Sequence, residues 1–324
     1  VILLSRTIFV VGSTDYHFYD GVHLWASRGN QILRSVDLGK SWYDYLRLSD
    51  SVMTRFKLYN RLTRSGIHNI IPVDSETIVV IVKKRLLVFS QKQMVAEVQI
   101  EKGSRPLRQG ILMKDGYIIY GEYWGNPDRE SVNIYRFDPY EGDPQVILSF
   151  KNKRHIHFIE DDICNPRKLL IGTGDEDAES GIYSYDLDRG VLTTIGCGSQ
   201  VWRAVSVLQK GEYLYWGSDC PYQQNHIYRY NRRTGVLERI QPISGPAYYS
   251  AINNEGRMFI ATTIEQRKEH RAIIYGSSDG ETWEEEQEWH KDFFHEKLFG
   301  YGVIEFIHGQ EALREVFINL RGLV

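Results

Sequence analysis

A strand-like run, a turn carrying Gly, Asp or Asn, and a second strand ending in a polar group recur along this chain at nearly constant spacing. That repeat limits the fold more than any other feature. Copies run from residues 66–72 into 77–80, from 105–112 into 117–122, from 154–159 into 169–175, and from 200–205 into 213–219. Residues 247–252 and 299–304 open two more. Aligning His68, Arg108, His157, Arg203, Tyr249 and Tyr301 gives steps of about 40, 49, 46, 46 and 52 residues, a period typical of propeller blades. Third strands fall between the copies at 132–136, 181–185, 226–230 and 272–276, each carrying an Ile-Tyr pair. The N-terminal stretch adds 22–26 and 31–34.

Dividing 324 residues by a mean step of roughly 47 gives about seven blades, with six still open. The expected fold is all-β, a single β-propeller domain over residues 1–324 with four-stranded blades. The last copy runs out near Asn319, so N-terminal strands should complete it; such N-/C-terminal closure leaves no open sheet edge. High aromatic content with few methionines (21 Tyr, 13 Phe, 7 Trp, 4 Met) suits packed sheets better than helix bundles.

Two short stretches share a second grammar. Ser35-Val36-Asp37-Leu38-Gly39-Lys40-Ser41-Trp42 and Ser277-Ser278-Asp279-Gly280-Glu281-Thr282-Trp283 both read Ser, Asp, Gly, hydroxyl, Trp between strand-like runs. In a hairpin the Asp can cap turn N–H groups and the Gly can take a left-handed conformation. The Trp then plugs the turn into the space between sheets. Here the chain resembles the Asp-box (BNR-repeat) proteins, the sialidase-like β-propellers. The first stretch fits S-x-D-x-G-x-[ST]-W fully, and the second lacks one spacer. The resemblance implies a propeller that acts on or binds glycans. It does not imply a true sialidase: no Arg-Ile-Pro occurs, and only about 34 residues precede the first box.

Consecutive blade strands are antiparallel, so first-strand starts and second-strand ends share one face. The two Asp-bearing turns decorate the other. Gathered at the channel mouth should be Arg105, Arg108, His155, His157, Gln200, Arg203 and Tyr249 with Glu122, Tyr123, Asp175 and Asp219. Three successive blades pair a cation or imidazole with a carboxylate. Loops running from second to third strands add Asn126, Arg129, Glu179, Gln224 and Asn225, and Tyr301 is the aligned position of the last copy. Aromatic and amide groups beside charges suit a sugar, with stacking for its apolar face and hydrogen bonds for its hydroxyls. Inter-blade salt bridges are the competing reading for each arginine.

The chemistry expected is cleavage of a glycosidic bond in an acidic saccharide. In a lyase, Arg108 or Arg203 would neutralise a uronate carboxylate, His155 or His157 would take the neighbouring proton, and Tyr249 or Tyr123 would protonate the leaving oxygen. In a hydrolase, two of Glu122, Asp175 and Asp219 would serve as acid and base or nucleophile. A non-catalytic propeller binding a glycan or protein is the alternative. His155-Ile156-His157 places two imidazoles on one side of a strand, and with Asp175, Asp219 or Gln200 nearby they could ligate a divalent metal.

Other features exclude more than they assign. A net charge of −3 gives no bulk attraction to nucleic acid or anionic membranes, and no apolar run reaches a membrane span. Cys164, Cys197 and Cys220 are an odd, widely spaced set that points away from a disulfide framework and toward a reducing, cytoplasmic compartment. The chain begins at Val1, so a removed leader stays open. Gly172-x-Gly174 lacks the spacing of a nucleotide loop. Residues 284–291 read as a solvated loop or short helix, His290 and His295 lack zinc-protease spacing, and 266–271 reads as a hairpin loop.

Overall fold

The computed structural model describes residues 8–10, 14–49, 57–63, 65–265 and 271–324. It contains six four-stranded antiparallel sheets, the blades of a β-propeller, each built from strands consecutive in sequence, and a further three-stranded sheet. The fold is therefore the all-β one expected, and its seven sheets match the spacing of the repeats. Contacts along the chain define two units, one of residues 71–248 and one of residues up to 70 with 249–324.

Within 71–248, three sheets matter most for the site. They comprise Ile111–Lys114, Tyr117–Gly121, Val132–Phe137 and Gln145–Phe150; His155–Asp161, Lys168–Gly174, Gly181–Asp186 and Val191–Cys197; and Leu208–Lys210, Tyr213–Gly217, His226–Asn231 and Leu237–Pro242. Each inner pair is apolar on both faces because it packs between two neighbours. Along Lys168–Gly174, Leu169 and Ile171 join Ile119, Ile134 and Ile156, while Leu170 joins Phe158, Ile182 and Trp216 in the next cluster. Period-two alternation thus divides one strand between two cores. Each fully buried Ile, Leu or Phe contributes on the order of 1.5–3 kcal/mol, so these seams fix the strands that carry the polar loop residues.

In the other unit, Ile8–Val10 runs parallel to Val316–Arg321, which is antiparallel to Val303–Phe306. The N-terminal strand completes the last sheet, as expected. Both Asp-bearing turns are held as their residue types suggest. Asp37 Oδ1 accepts from the Ser41 N–H (2.8 Å) and from the Ser35 hydroxyl (2.7 Å), and its Oδ2 accepts from the Ser41 hydroxyl (2.6 Å). Asp279 Oδ1 accepts from the Glu281 and Thr282 N–H groups, each at 2.9 Å. Gly39 and Gly280 have φ of +87° and +80°, where a side chain would be strained. Trp42 packs on a core of Tyr16, Leu24, Leu313 and Phe317, and Trp283 is buried.

Four expectations need correction, the first being residues 105–112, of which Arg108–Gly110 is a 3-10 turn and the strand is Ile111–Lys114. Residues 200–205 do not form a strand: Gln200–Trp202 is a 3-10 turn and the strand starts at Leu208. The turn lays Trp202 on Trp216 with centroids 5.3 Å apart, and Trp216 Nε1 donates to the Val201 carbonyl at 2.7 Å. Residues 299–304 begin with the end of a helical turn, Glu296–Phe299, and the strand is Val303–Phe306. The acidic run is a strand, Glu284–Trp289, pairing with Ala272–Ser277. Its exposed glutamates mark an outer edge, while Trp289 is buried and Glu286 pairs with Arg257. Of the expected hairpin loop at 266–271, residues 266–270 lie outside the described residues. No helix among the described residues is long and apolar enough to cross a membrane.

Candidate functional site

His155 and His157 lie on strand His155–Asp161. Its partner strand pairs His155 with Gly174 and Ile156 with Thr173, then Phe158 with Gly172, which leaves His157 as the extra residue of a bulge. Such an insertion tilts the backbone and re-aims a side chain. Glycine at 174 makes room for the ring, because a Cβ there would stand 2.3 Å from His157 Cε1. Asp175 follows immediately, at the mouth of the loop leaving the second strand.

Three atoms converge there. His155 Nε2 and His157 Nε2 are 3.0 Å apart, and each is 3.2 Å from Asp175 Oδ1. The other ring nitrogens are committed: His155 Nδ1 is 2.9 Å from the Trp124 carbonyl and His157 Nδ1 is 3.0 Å from the Ala204 carbonyl. A carbonyl only accepts, so each Nδ1 carries the proton and a neutral ring presents a bare lone pair at Nε2. Two imidazole lone pairs and a carboxylate oxygen then face one another at hydrogen-bond distance. Only a cation, either a proton on one ring or a metal ion, makes that arrangement favourable.

The set fits a metal. Ligands about 2.1 Å from one ion and near right angles to each other lie about 3 Å apart. Metal-bound histidines usually donate their other N–H to a carbonyl or carboxylate, as both do here. Among the described residues, His155, His157 and Asp175 form a group whose ligand atoms all lie within 4.8 Å of one another. Two His and one carboxylate suit divalent first-row ions.

Guanidinium groups surround the carboxylate. Arg203 approaches Asp175 Oδ1 at 3.2 Å and donates Nε to Asp219 Oδ2 at 3.0 Å, while Arg154 donates to Asp175 Oδ2 at 2.9 Å. Gln200 donates to the Asp175 carbonyl and to Asp177, each at 2.9 Å. Burial acts to raise the Asp175 pKa, but hydrogen bonds and charge from the two imidazoles outweigh it and hold the carboxyl below its usual range. When both rings are neutral they have no proton to give, and Arg154 and Arg203 keep it ionised. Burial, then the charges of His155 and Arg203, push the His157 pKa below its ordinary value, which favours the neutral ring a metal requires.

The Tyr123 ring lies 4.2 Å from the His155 ring, centroid to centroid. Arg203, Asp175, Asp219, Gln200, His155, His157 and Tyr123 are therefore brought together. Glu122 is placed elsewhere: its carboxylate accepts from Asn133 N (2.9 Å) and the Tyr135 hydroxyl (3.0 Å) and lines a cavity of ≈ 90 Å³ with Glu101, Lys102 and Tyr120. Burial raises its pKa. Asn126, Arg129 and Glu179 brace the loops around Asp175. Asn225 is buried in its own loop, bonded to Cys220 and Ser218, and Gln224 donates to the Ile243 carbonyl at 2.8 Å. Arg108 is fully buried in a 3-10 turn, Arg108–Gly110, that packs on strand His155–Asp161, and Arg105 is half-buried. Tyr249, buried, and Tyr301, exposed, belong to the other unit. Arg154 and the Trp124 and Ala204 carbonyls were not anticipated; Arg154 is adjacent to His155, a position that strand alternation assigns to the opposite side.

No protein-family model and no curated protein matches the chain. Solved structures do. A GH74 xyloglucanase from Xanthomonas campestris superposes with a TM-score of 0.58 at 12% identity over 98% of this chain, which spans only 55% of the xyloglucanase. An oligogalacturonate lyase in complex with manganese gives 0.57 at 10% identity, covering 84% of this chain and 77% of the lyase. A chain of a mitotic checkpoint complex gives 0.55 at 9% identity, covering 85% of this chain and 76% of that chain. At such identities the likeness establishes a shared β-propeller fold.

Proposed function

We propose that this chain is a carbohydrate-active enzyme that binds a divalent cation at His155, His157 and Asp175 and cleaves a glycosidic bond in an acidic saccharide by elimination. The observation that carries the reading is the convergence of three acceptor atoms, with both outer ring nitrogens satisfied by carbonyls. A bound divalent ion would supply positive charge for an anionic substrate oxygen. His155 and His157 hold their lone pairs toward that position, and Arg154 and Arg203 keep Asp175 ionised and oriented. With the imidazoles occupied, proton movement falls to hydroxyl groups nearby. Tyr123 lies against His155.

Elimination is favoured over hydrolysis because the three candidate carboxylates do not form an acid–base pair at one opening. Asp175 and Asp219 are both tied to Arg203, and Glu122 faces its own cavity. A shared fold with a manganese-bound oligogalacturonate lyase supports this reading, as does a xyloglucanase on the same fold. The Ser-Asp-Gly-Trp turns support kinship with Asp-box propellers, with residues 1–324 as one domain.

Equilibrium dialysis against Mn²⁺ or Zn²⁺ should show one ion per chain, lost in His157→Ala. Incubation with polyuronates should generate the ultraviolet absorbance of an unsaturated uronate. No metal uptake overturns the centre; reducing ends without that absorbance mean hydrolysis; saccharide binding without turnover means a lectin-like propeller.

A further inference from the structure

Asp175 is the one of the three ligating groups that lies outside a paired strand. The two histidines stand in a paired strand, whereas Asp175 has just left one, and its side chain can be no better placed than the loop that carries it. One carboxylate braces that loop, alongside the bonds from Gln200 and Arg203 to the Asp175 carbonyl. Glu179 Oε2 accepts the backbone N–H of Asp175 at 3.0 Å and that of Glu176 at 3.2 Å, while the Thr173 hydroxyl donates to the Glu179 carbonyl at 2.6 Å. Its other oxygen, Oε1, accepts from Arg129 Nε. The Glu179 side chain is buried, so this is a charge-assisted contact largely removed from water.

Arg129 comes from the loop of the preceding sheet. Its Nη1 donates to the carbonyls of Asn126 at 2.8 Å and Pro127 at 3.3 Å. Asn126 is completely buried and donates to the carbonyls of Lys153 and Arg154, the residues just before the histidine strand, at 3.0 and 3.1 Å. The same loop supplies the Trp124 carbonyl that orients His155. A single loop, residues 122–130, therefore governs the orientation of His155, the entry to its strand and, through Arg129, the position of Asp175.

We propose that Arg129 and Glu179 are positioning residues for the His155–His157–Asp175 centre, joining its carboxylate to the loop that sets its first histidine. The proposal rests on the metal-binding reading above. Neither residue touches the ligand position; both act by fixing where Asp175 stands relative to the two imidazoles. Outer-shell partners of this kind typically change metal affinity by about 10–100-fold.

The test is the dissociation constant for Mn²⁺ alone, measured by calorimetry on the full chain, for the wild type and for Glu179→Ala, Glu179→Gln and Arg129→Met. The expected losses are about 10–100-fold for Glu179→Ala and smaller for Glu179→Gln, which keeps an acceptor for the two N–H groups. Arg129→Lys should recover part of the Arg129→Met loss. Asp188→Asn, which removes the exposed Arg167–Asp188 pair, serves as a control with unchanged affinity. A merely structural ion pair would lower the melting temperature of metal-free and loaded protein alike and leave the Mn²⁺ constant unchanged, and that result overturns the proposal. Wild-type protein that takes up no Mn²⁺ overturns the metal reading and this proposal together, whereas uptake by the wild type with equal affinity in the variants overturns this proposal alone.

Discussion

Gly174 shows how much of the site depends on a residue with no functional group. It pairs with His155 across the strands, and the space its missing side chain leaves is filled by the His157 ring. A Cβ placed 2.3 Å from His157 Cε1 cannot be accommodated without moving the buried imidazole. Gly174→Ala should therefore retain the fold, seen as an unchanged far-ultraviolet circular dichroism spectrum, while weakening Mn²⁺ binding by at least about tenfold. Equal affinity would mean that the ring does not ligate. At this scale the sequence was partly readable. The i, i+2 spacing of His155 and His157 pointed to a shared centre with Asp175, Asp219 or Gln200, and the structure brings Asp175 to both rings. Glu122 occupies the equivalent strand end one blade earlier, yet its carboxylate turns to Asn133 and Tyr135. Both are carboxylates one residue past a strand-ending glycine, and the difference lies in the neighbours each side chain meets. The carbonyls of Trp124 and Ala204 carry no residue-type signature at all.

Among elements, the hairpin turn at 35–42 behaves as its residue order suggests, and it makes a pH prediction. The Ser41 hydroxyl first, then the Ser41 N–H and the Ser35 hydroxyl, pull the Asp37 pKa from 3.8 to about 2. A depressed folded value means the carboxylate's hold on the turn is complete above the unfolded value and is lost as pH falls through the folded one. The Asp37 carboxyl carbon, followed by NMR, should titrate near pH 2, with the Ser41 amide proton moving on the same curve. A midpoint near 3.8 would mean the turn is not held by this carboxylate. Strand Glu284–Trp289 shows the opposite case. Its glutamates outnumber its apolar residues, so neither alternation nor β-propensity marks it. It is a strand because Ala272–Ser277 offers a paired edge and because Trp289 and Glu286 find partners there. Outer strands of blades need little burial, and that is why composition hides them. The turn at Gln200–Trp202 escaped for a related reason: its apolar residues satisfy a strand pattern, but the stacking of Trp202 on Trp216 is a tertiary contact.

For the molecule as a whole, the decisive step is how the last sheet is finished. The repeat count left the final copy short of strands, and an unpaired strand of apolar residues is a template for aggregation. Val316, Phe317 and Ile318 are all buried, and their backbone is met by Ile8, Phe9 and Val10 in parallel register. Close by in sequence, Asn319 accepts from Tyr16 N at 2.7 Å and donates to the Tyr16 carbonyl at 2.8 Å, a second tie between distant ends of the chain. The need for a returning strand could be read from the period; its parallel direction could not, because a three-residue strand has no pattern that distinguishes the two. Deleting residues 1–10 should leave the edge of Val316–Arg321 open, costing about 1–3 kcal/mol of buried backbone hydrogen bonding. For a protein of this size each kcal/mol lowers the melting temperature by roughly 2–4 °C, so a clear drop is expected, together with concentration-dependent self-association in light scattering. Asn319→Ala, which cuts the second tie but leaves the edge covered, should lower the melting temperature without inducing association. If both variants melt like the wild type and stay monodisperse, the N-terminal strand contributes nothing to closing this sheet.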